Sequence, residues 1–353
     1  IVITTITYGF SPSTFNNLGD PNIIEGLKML QLFSAVGLFI VPPLAYGLFV
    51  SKKPFENLSL NALNKPINYL LVTIFMVVLT PFLSWVIELN ASMVLPDFLS
   101  SVEEWMRASE SKAESLTKAF LTYDGVGSLI YIMLIVAIVP AIGEELLFRG
   151  VLQKIMIAWT KNPHTGIWIT AFLFSALHMQ FFGFFPRMLL GALFGYLFLW
   201  SKSLWLPILG HFINNGTVVL ASYFYPEMIE NTDVNAFGEG SESFVTYGLS
   251  FVFGFAILFL IWKINRDKKT AEFPDSVTSR GSKHLKTLIT AINQGYKSYL
   301  LFLVQIQGVE NFKIAKDIDK EYYENYLLAK KAGVVFLAYR CKINSKEIKI
   351  EKK

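Results

Sequence analysis

Apolar runs long enough to cross a bilayer recur along the first three quarters of the chain. A hydrocarbon core about 30 Å thick needs roughly 20 apolar residues in a helix. Such windows fall at 28–50, 67–89, 127–148, 165–181, 185–201, 204–223 and 244–264. The pattern predicts an all-α polytopic membrane bundle of about seven transmembrane helices. Ile1–Phe10 is also apolar and the chain opens on Ile, so one further helix, truncated at the N-terminus, is expected. No cleavable signal peptide is expected. Pro96–Leu121 is charged but carries Leu99, Val102, Trp105 and Met106, which predicts a surface helix outside the membrane. Gly191-Ala-Leu-Phe-Gly195 has the small-residue spacing that lets helices approach closely, and packing is the role it predicts.

After Arg266 the hydropathy collapses. Ser276–Asn293 and Asp319–Lys331 read as helices, and Lys297–Gln305 and Gly333–Cys341 as strands. The result is a leading helix followed by a βαβ unit, a small soluble α/β appendage. The expected division is a membrane domain over 1–266 and the appendage over 267–353.

Composition separates the two pieces further. The chain is 53% hydrophobic and only 16% charged, against about 25% charged for an ordinary soluble domain. Residues 1–266 hold 14 Lys and Arg against 17 Asp and Glu, a net of −3. Residues 267–353 hold 17 against 10, a net of +7. Cys341 is the one cysteine, which removes an intrachain disulfide and a thiol-ligated metal site. Basic residues cluster after alternate spans: Lys52, Lys53 and Lys65; Lys154 and Lys161; Lys202; then Lys263, Arg266, Lys268 and Lys269. Segments 90–125 and 224–243 are acidic. With seven spans all the basic loops fall on the cytoplasmic side, and Arg187, in a short outer turn, is the exception.

Three motifs place polar chemistry inside these apolar helices. In Glu144-Glu145-Leu-Leu-Phe-Arg149, Glu145 and Arg149 are four apart and predicted to pair, while Glu144 points about 100° away. An ionised group near mid-bilayer costs roughly 2.5–3.5 kcal/mol, so these residues need a partner or a wet cavity. The alternative ends the span at Gly143 and leaves both carboxylates interfacial. Phe174-Ser-Ala-Leu-His178 closes the fourth window, and a lone histidine there is as readily a satisfied core residue. His211-Phe-Ile-Asn-Asn215 puts a histidine and an amide four apart on the sixth. His164 and His284 read as surface residues. A buried glutamate can act as general base toward water, and histidine can orient that water or bind a metal. Histidine and asparagine can donate to an oxyanion. There is no H-E-x-x-H, which excludes the soluble zincin pattern.

In that order and spacing, the three motifs resemble the CAAX protease and bacteriocin-processing family of intramembrane proteases, over about residues 28–264. The resemblance implies that Glu144 and His178 activate the attacking water. It implies that His211 and Asn215 stabilise the oxyanion or help hold a metal, and that Glu145 and Arg149 brace the site. A zinc ion on Glu144, His178 and His211 and a metal-free glutamate mechanism both stay open. Glu144 is the expected base.

The string F-P-D-x-V-T-x-R-G-x-K-H-L at Phe273–Leu285 is similar to the C-terminal part of the sugar fermentation stimulation protein A family, whose members have a nuclease-like fold. That family's upstream acidic strand is missing, and Asp275 alone cannot replace it. The tail therefore reads as a fragment joined by fusion or by assembly of the sequence, with no part in proteolysis. The expected partners are the lipid bilayer and a membrane-anchored peptide or protein substrate, in a bacterial inner membrane with a cytoplasmic C-terminus; nucleic acid is not expected. Competing readings are a non-catalytic immunity or scaffold protein, a transporter with Glu144 as proton site, and, last, a nucleic-acid role through the tail.

Overall fold

A computed structural model describes residues 20–227, 241–265, 270–274, 276–305, 311–316, 318–343 and 348–352. The apolar run Ile1–Phe10, Arg266, Lys268, Lys269, Asp275 and most of the acidic segment 224–243 lie outside them.

Five helices among the described residues are long and apolar enough to cross a membrane: α1 (Pro21–Val50), α2 (Pro66–Ala91), α4 (Val126–Thr160), α6 (Phe184–Ser201) and Phe244–Asn265 of α8 (Ser241–Asn265). Prolines start α1 and α2, where no backbone donor is lost, and the Asp20 carboxylate accepts from Asn22 N at 2.9 Å. Large apolar side chains such as Leu38, Phe49, Phe253 and Phe259 face outward, the expected surface for a helix bathed in lipid. The chain is accordingly read as an integral membrane protein.

Among the described residues two of the seven expected spans fall short of that length or apolarity. Helix α5 (Pro163–Ala176) has 14 residues, about 21 Å, and stops before His178 because Met179 takes a left-handed φ of 54°. Helix α7 (Trp205–Phe224) has 20 residues, but His211, Asn214 and Asn215 make it too polar to count. Helix α4 differs in the opposite direction. It runs 35 residues, about 50 Å, and continues through Gly143 instead of stopping there. It does so with wider π turns at Met133–Ile138 and Leu146–Leu152, the second holding Arg149. The predicted surface helix is α3 (Ser100–Phe120), a single turn after Pro96. The Leu95 amide and then Arg107 hold its Glu103 carboxyl below the usual range.

The bundle core lies between α2, α6, α7 and α8, on Val72, Phe75, Leu79, Phe194, Leu197, Leu206 and Ile261. A second cluster joins α4 to α6 and α7 through Leu146, Val151, Phe198 and Ile208.

The chain divides into two compact units, one drawn from 1–156 and 167–265, the other from 157–166 and 266–353. In the second unit β2 (Tyr299–Val304) pairs in parallel with β4 (Val335–Ile343) across α10 (Lys320–Ala332), the expected βαβ. Helix α9 (Ser279–Asn293) precedes it, capped by Thr278. The pattern missed three short strands. β1 (Thr270–Phe273) pairs in parallel with β3 (Asn311–Ile314), and β5 (Ile348–Lys352) lies antiparallel to β4. At four or five residues they are too short for alternation to show. Leu285, Tyr322, Ala329 and Val334 form this unit's core.

Candidate active site

Helix α4 carries three buried polar groups on one stripe. Glu145, Arg149 and Gln153 follow at intervals of four, and all three are buried, Glu145 and Arg149 at 0% exposure. Arg149 Nη1 donates to Glu145 Oε1 at 2.8 Å, the predicted pair. Arg149 Nη2 donates to the Gly191 carbonyl at 2.8 Å, and Gln153 Nε2 to the Gly195 carbonyl at 3.0 Å. Those carbonyls are reachable because α6 has no Cβ there. At Gly195 a Cβ would sit 2.8 Å from Ile167 Cγ2 and 2.9 Å from Gln153 Oε1. At Gly191 it would meet Ala171 Cα at 3.3 Å. The pair of glycines thus supplies hydrogen-bond acceptors as well as close packing. Gln153 was missed by sequence reasoning, although its place on the Glu145–Arg149 stripe was a readable signal.

His211, buried on α7, completes the cluster. Its Nδ1 lies 2.9 Å from Glu145 Oε1 and its Nε2 3.7 Å from Glu144 Oε2. Glu145 Oε1 is already the acceptor for Arg149, so Nδ1 carries the hydrogen it shares with that oxygen. Nε2 is then an acceptor on the neutral ring and a donor only on the imidazolium. Aromatic walls hold the group. Phe194 stacks on His211 with centroids 5.5 Å apart, and the Arg149 guanidinium lies 4.9 Å from the Phe174 ring.

Glu144 faces elsewhere, as the helix geometry predicts. Its side chain is 15% exposed, and Oε2 is a buried atom with no hydrogen-bond partner. Glu145 Oε2 and Arg149 Nε are likewise without partners.

His178 sits in the turn just after α5. Its Nδ1 lies 2.8 Å from the Phe174 carbonyl. A carbonyl only accepts, so Nδ1 carries the hydrogen and Nε2 of the neutral ring keeps a free lone pair. The Phe174 ring touches both imidazoles edge-on, His178 at 5.0 Å and His211 at 6.0 Å. No hydrogen bond or ion pair joins His178 to Glu144 among the described residues. Asn215 donates to the Val136 carbonyl at 3.2 Å and accepts from Asn214 at 3.1 Å, so its amide is not engaged with His211.

The structure therefore gathers Glu144, Glu145, Arg149 and His211, sets His178 across Phe174 from them, and places Asn215 one turn away on α7. Glu144, His178 and His211 are the donors a zinc ion would use. No three His, Cys, Asp or Glu side chains converge for a metal among the described residues, so the donor set as arranged does not fit one.

Residues 126–217 match the family model described as type II CAAX prenyl endopeptidase, Rce1-like. That stretch contains all three motifs. Residues 262–347 match the model of the sugar fermentation stimulation protein RE domain. The sugar fermentation stimulation protein homolog of Pelagibacter ubique (strain HTCC1062) is 85% identical over 88 residues, 25% of this chain and 38% of the relative. The homolog of Clostridium acetobutylicum is 40% identical over 86 residues, 24% of this chain and 37% of the relative. Pyrococcus furiosus SfsA, solved in complex with Ca2+, is 30% identical over 25% of this chain and 38% of its own. Its TM-score of 0.24 is too low to bear on the fold. The chain spans little more than a third of these relatives' length, and the sugar fermentation stimulation homologues match its C-terminal part.

Proposed function

We infer that the first unit is an intramembrane endopeptidase that hydrolyses a membrane-proximal peptide bond. The observation that carries this reading is the division of labour between the adjacent glutamates. Glu145 Oε1 is held by both Arg149 and His211, whereas Glu144 makes no hydrogen bond among the described residues and sets its buried Oε2 3.7 Å from an imidazole nitrogen. Stability alone gives no reason to retain such a group, and burial suits it to act as a base.

Glu144 takes the proton of a water as that water attacks the scissile carbonyl, with the His178 Nε2 lone pair orienting the same water. The developing oxyanion receives one hydrogen bond from the Nε2–H of His211 as imidazolium, whose Nδ1 is already committed to Glu145. As the tetrahedral intermediate collapses, the C–N bond breaks and Glu144 passes its proton to the leaving amine. Asn215 contributes a second donor if its amide leaves the Val136 carbonyl when substrate binds. The Arg149–Glu145 pair fixes the His211 tautomer and acts through that ring. The match to a CAAX endopeptidase model supports the reaction class. Substrates anchored in or beside the bilayer fit a site inside the bundle.

The same reading makes α5 and α7 the remaining two crossings, shortened and polar because they bear the site. The basic loops then face the cytoplasm, as does the C-terminus, in a bacterial inner membrane. The test is cleavage of membrane-tethered peptides by purified full-length protein, with Glu144→Ala and His178→Ala as controls. Cleavage that both substitutions abolish, with folding intact, supports the protease. A well-folded wild type that cleaves nothing, with and without added zinc, overturns it in favour of a peptide-binding immunity or scaffold protein.

A further inference from the structure

His178 is placed by a turn outside any helix, so its precision has to come from whatever holds that turn. The local bonds are ordinary: His178 N donates to Ser175 O at 3.2 Å and Met179 N to Ala176 O at 3.1 Å. Past Met179 the chain must reverse into α6 within a few residues. There Asn90, a buried residue at the end of α2, grips it from both sides. Asn90 Nδ2 donates to the Phe181 carbonyl at 3.3 Å, and Phe185 N donates to Asn90 Oδ1 at 2.9 Å. The remaining amide contact is weak, Nδ2 to Met93 Sδ at 3.9 Å. One carboxamide thus stands in for a strand partner, satisfying an acceptor and a donor four residues apart. Glu110 adds to this from α3 by accepting from Phe182 N at 3.3 Å.

We propose that Asn90 is a positioning residue for His178, clamping the 181–185 backbone so that the His178 ring stays against Phe174 with Nε2 toward the site. The proposal rests on the protease reading. None of the three motifs contains Asn90, and only its tertiary contacts reveal the role. Without Asn90 the Phe185 amide in this half-exposed turn would lose its side-chain acceptor, and the Phe181 carbonyl would keep only Phe184 N at 3.2 Å, which loosens the segment. A displacement of about 1 Å in a catalytic group is enough to cost on the order of 100-fold in rate.

The test uses the full chain in proteoliposomes, with Asn90→Ala and Asn90→Asp. Asp is isosteric, keeps the acceptor for Phe185 N and loses the donor to Phe181 O. Asn90→Ala is expected to lower kcat per folded molecule on the order of 10- to 100-fold with KM little changed. Asn90→Asp recovers part of that loss. Hydrogen exchange at the Phe182 and Phe185 amides should rise on the order of tenfold in Asn90→Ala. A folded Asn90→Ala that keeps wild-type kcat, or exchanges as the wild type does, overturns the proposal. So does a lowered melting temperature with unchanged kcat per folded molecule, which marks a purely structural role. If Asn90→Ala does not fold, Asn90→Asp carries the same decision. If the wild type itself cleaves nothing, the protease reading fails first. The clamp is then judged by exchange and by diethyl pyrocarbonate modification of His178, which Asn90→Ala should accelerate.

Discussion

Two fully buried ions in an apolar bundle are sustained only if their charges and protons are matched. Removing one member of a buried pair leaves the other uncompensated, at a cost of about 3–5 kcal/mol. Arg149→Met should therefore destabilise the protein by about that amount, read as a fall in melting temperature in detergent. Pairing it with Glu145→Gln should recover part of the loss, because the orphaned carboxylate is gone. The two glutamates should separate cleanly. Glu144 Oε2 has no partner to lose, so Glu144→Gln should leave the melting temperature near wild type while lowering kcat about 10²- to 10⁴-fold. Glu145→Gln removes the charge that Arg149 and His211 both use, so it should lower stability as well as activity. Activity retained in Glu144→Gln and lost only in Glu145→Gln would reverse the assignment of the base.

Helices α4 and α6 meet along a seam where a side chain and a backbone carbonyl need the same space. Gly195→Ala would put a methyl 2.8 Å from Ile167 Cγ2 and 2.9 Å from Gln153 Oε1. It should cost about 1–3 kcal/mol by overpacking and loosen the Gln153 hydrogen bond. Thermal unfolding checks the first effect. Gln153→Leu checks the second: burying the Gly195 carbonyl without its donor should destabilise the protein by about 1–3 kcal/mol. Helix α4 has two π turns, one on either side of Glu144 and Glu145, where α1 has a single one at Val36–Ile40. Such turns concentrate at functional positions in helices, and the second one sets the register in which Arg149 meets Glu145 and Gly191 together.

The two compact units have different chemistry, different family matches and opposite net charge. The bundle alone contains the candidate site, with every one of its residues between Glu144 and Asn215. Deleting residues 270–353 should leave cleavage of a membrane-tethered peptide within about twofold of the full chain, in keeping with a site closed within one cooperative unit. Loss of activity with normal membrane insertion would show that the second unit takes part. That unit's match covers 38% of its 85%-identical relative.

Much of this was written in the sequence because it depends on local quantities. Apolar runs specify lipid-crossing helices, and the i,i+4 rule joined Glu145 to Arg149 and turned Glu144 aside. The short apolar runs within Lys297–Gln305 and Gly333–Cys341 gave the two strands of the βαβ unit. Other features were decided by contacts between residues far apart in the chain. No window calculation could show that α4 continues beyond residue 148 to Thr160, because what supports the continuation is Gly191 and Gly195 on another helix, 42 residues away from their donors. Nor could it shorten α5, whose end is set by the turn that delivers His178. The bond from His211 to Glu145 spans 66 residues and the grip of Asn90 on Phe185 spans 95. Propensity and periodicity act over a few residues, whereas the partner that satisfies a buried charge, amide or carbonyl is chosen only when distant helices pack. The sequence by itself determined which segments are apolar enough to enter a membrane and which residues are candidates for the chemistry, and the tertiary structure decided which of those residues meet.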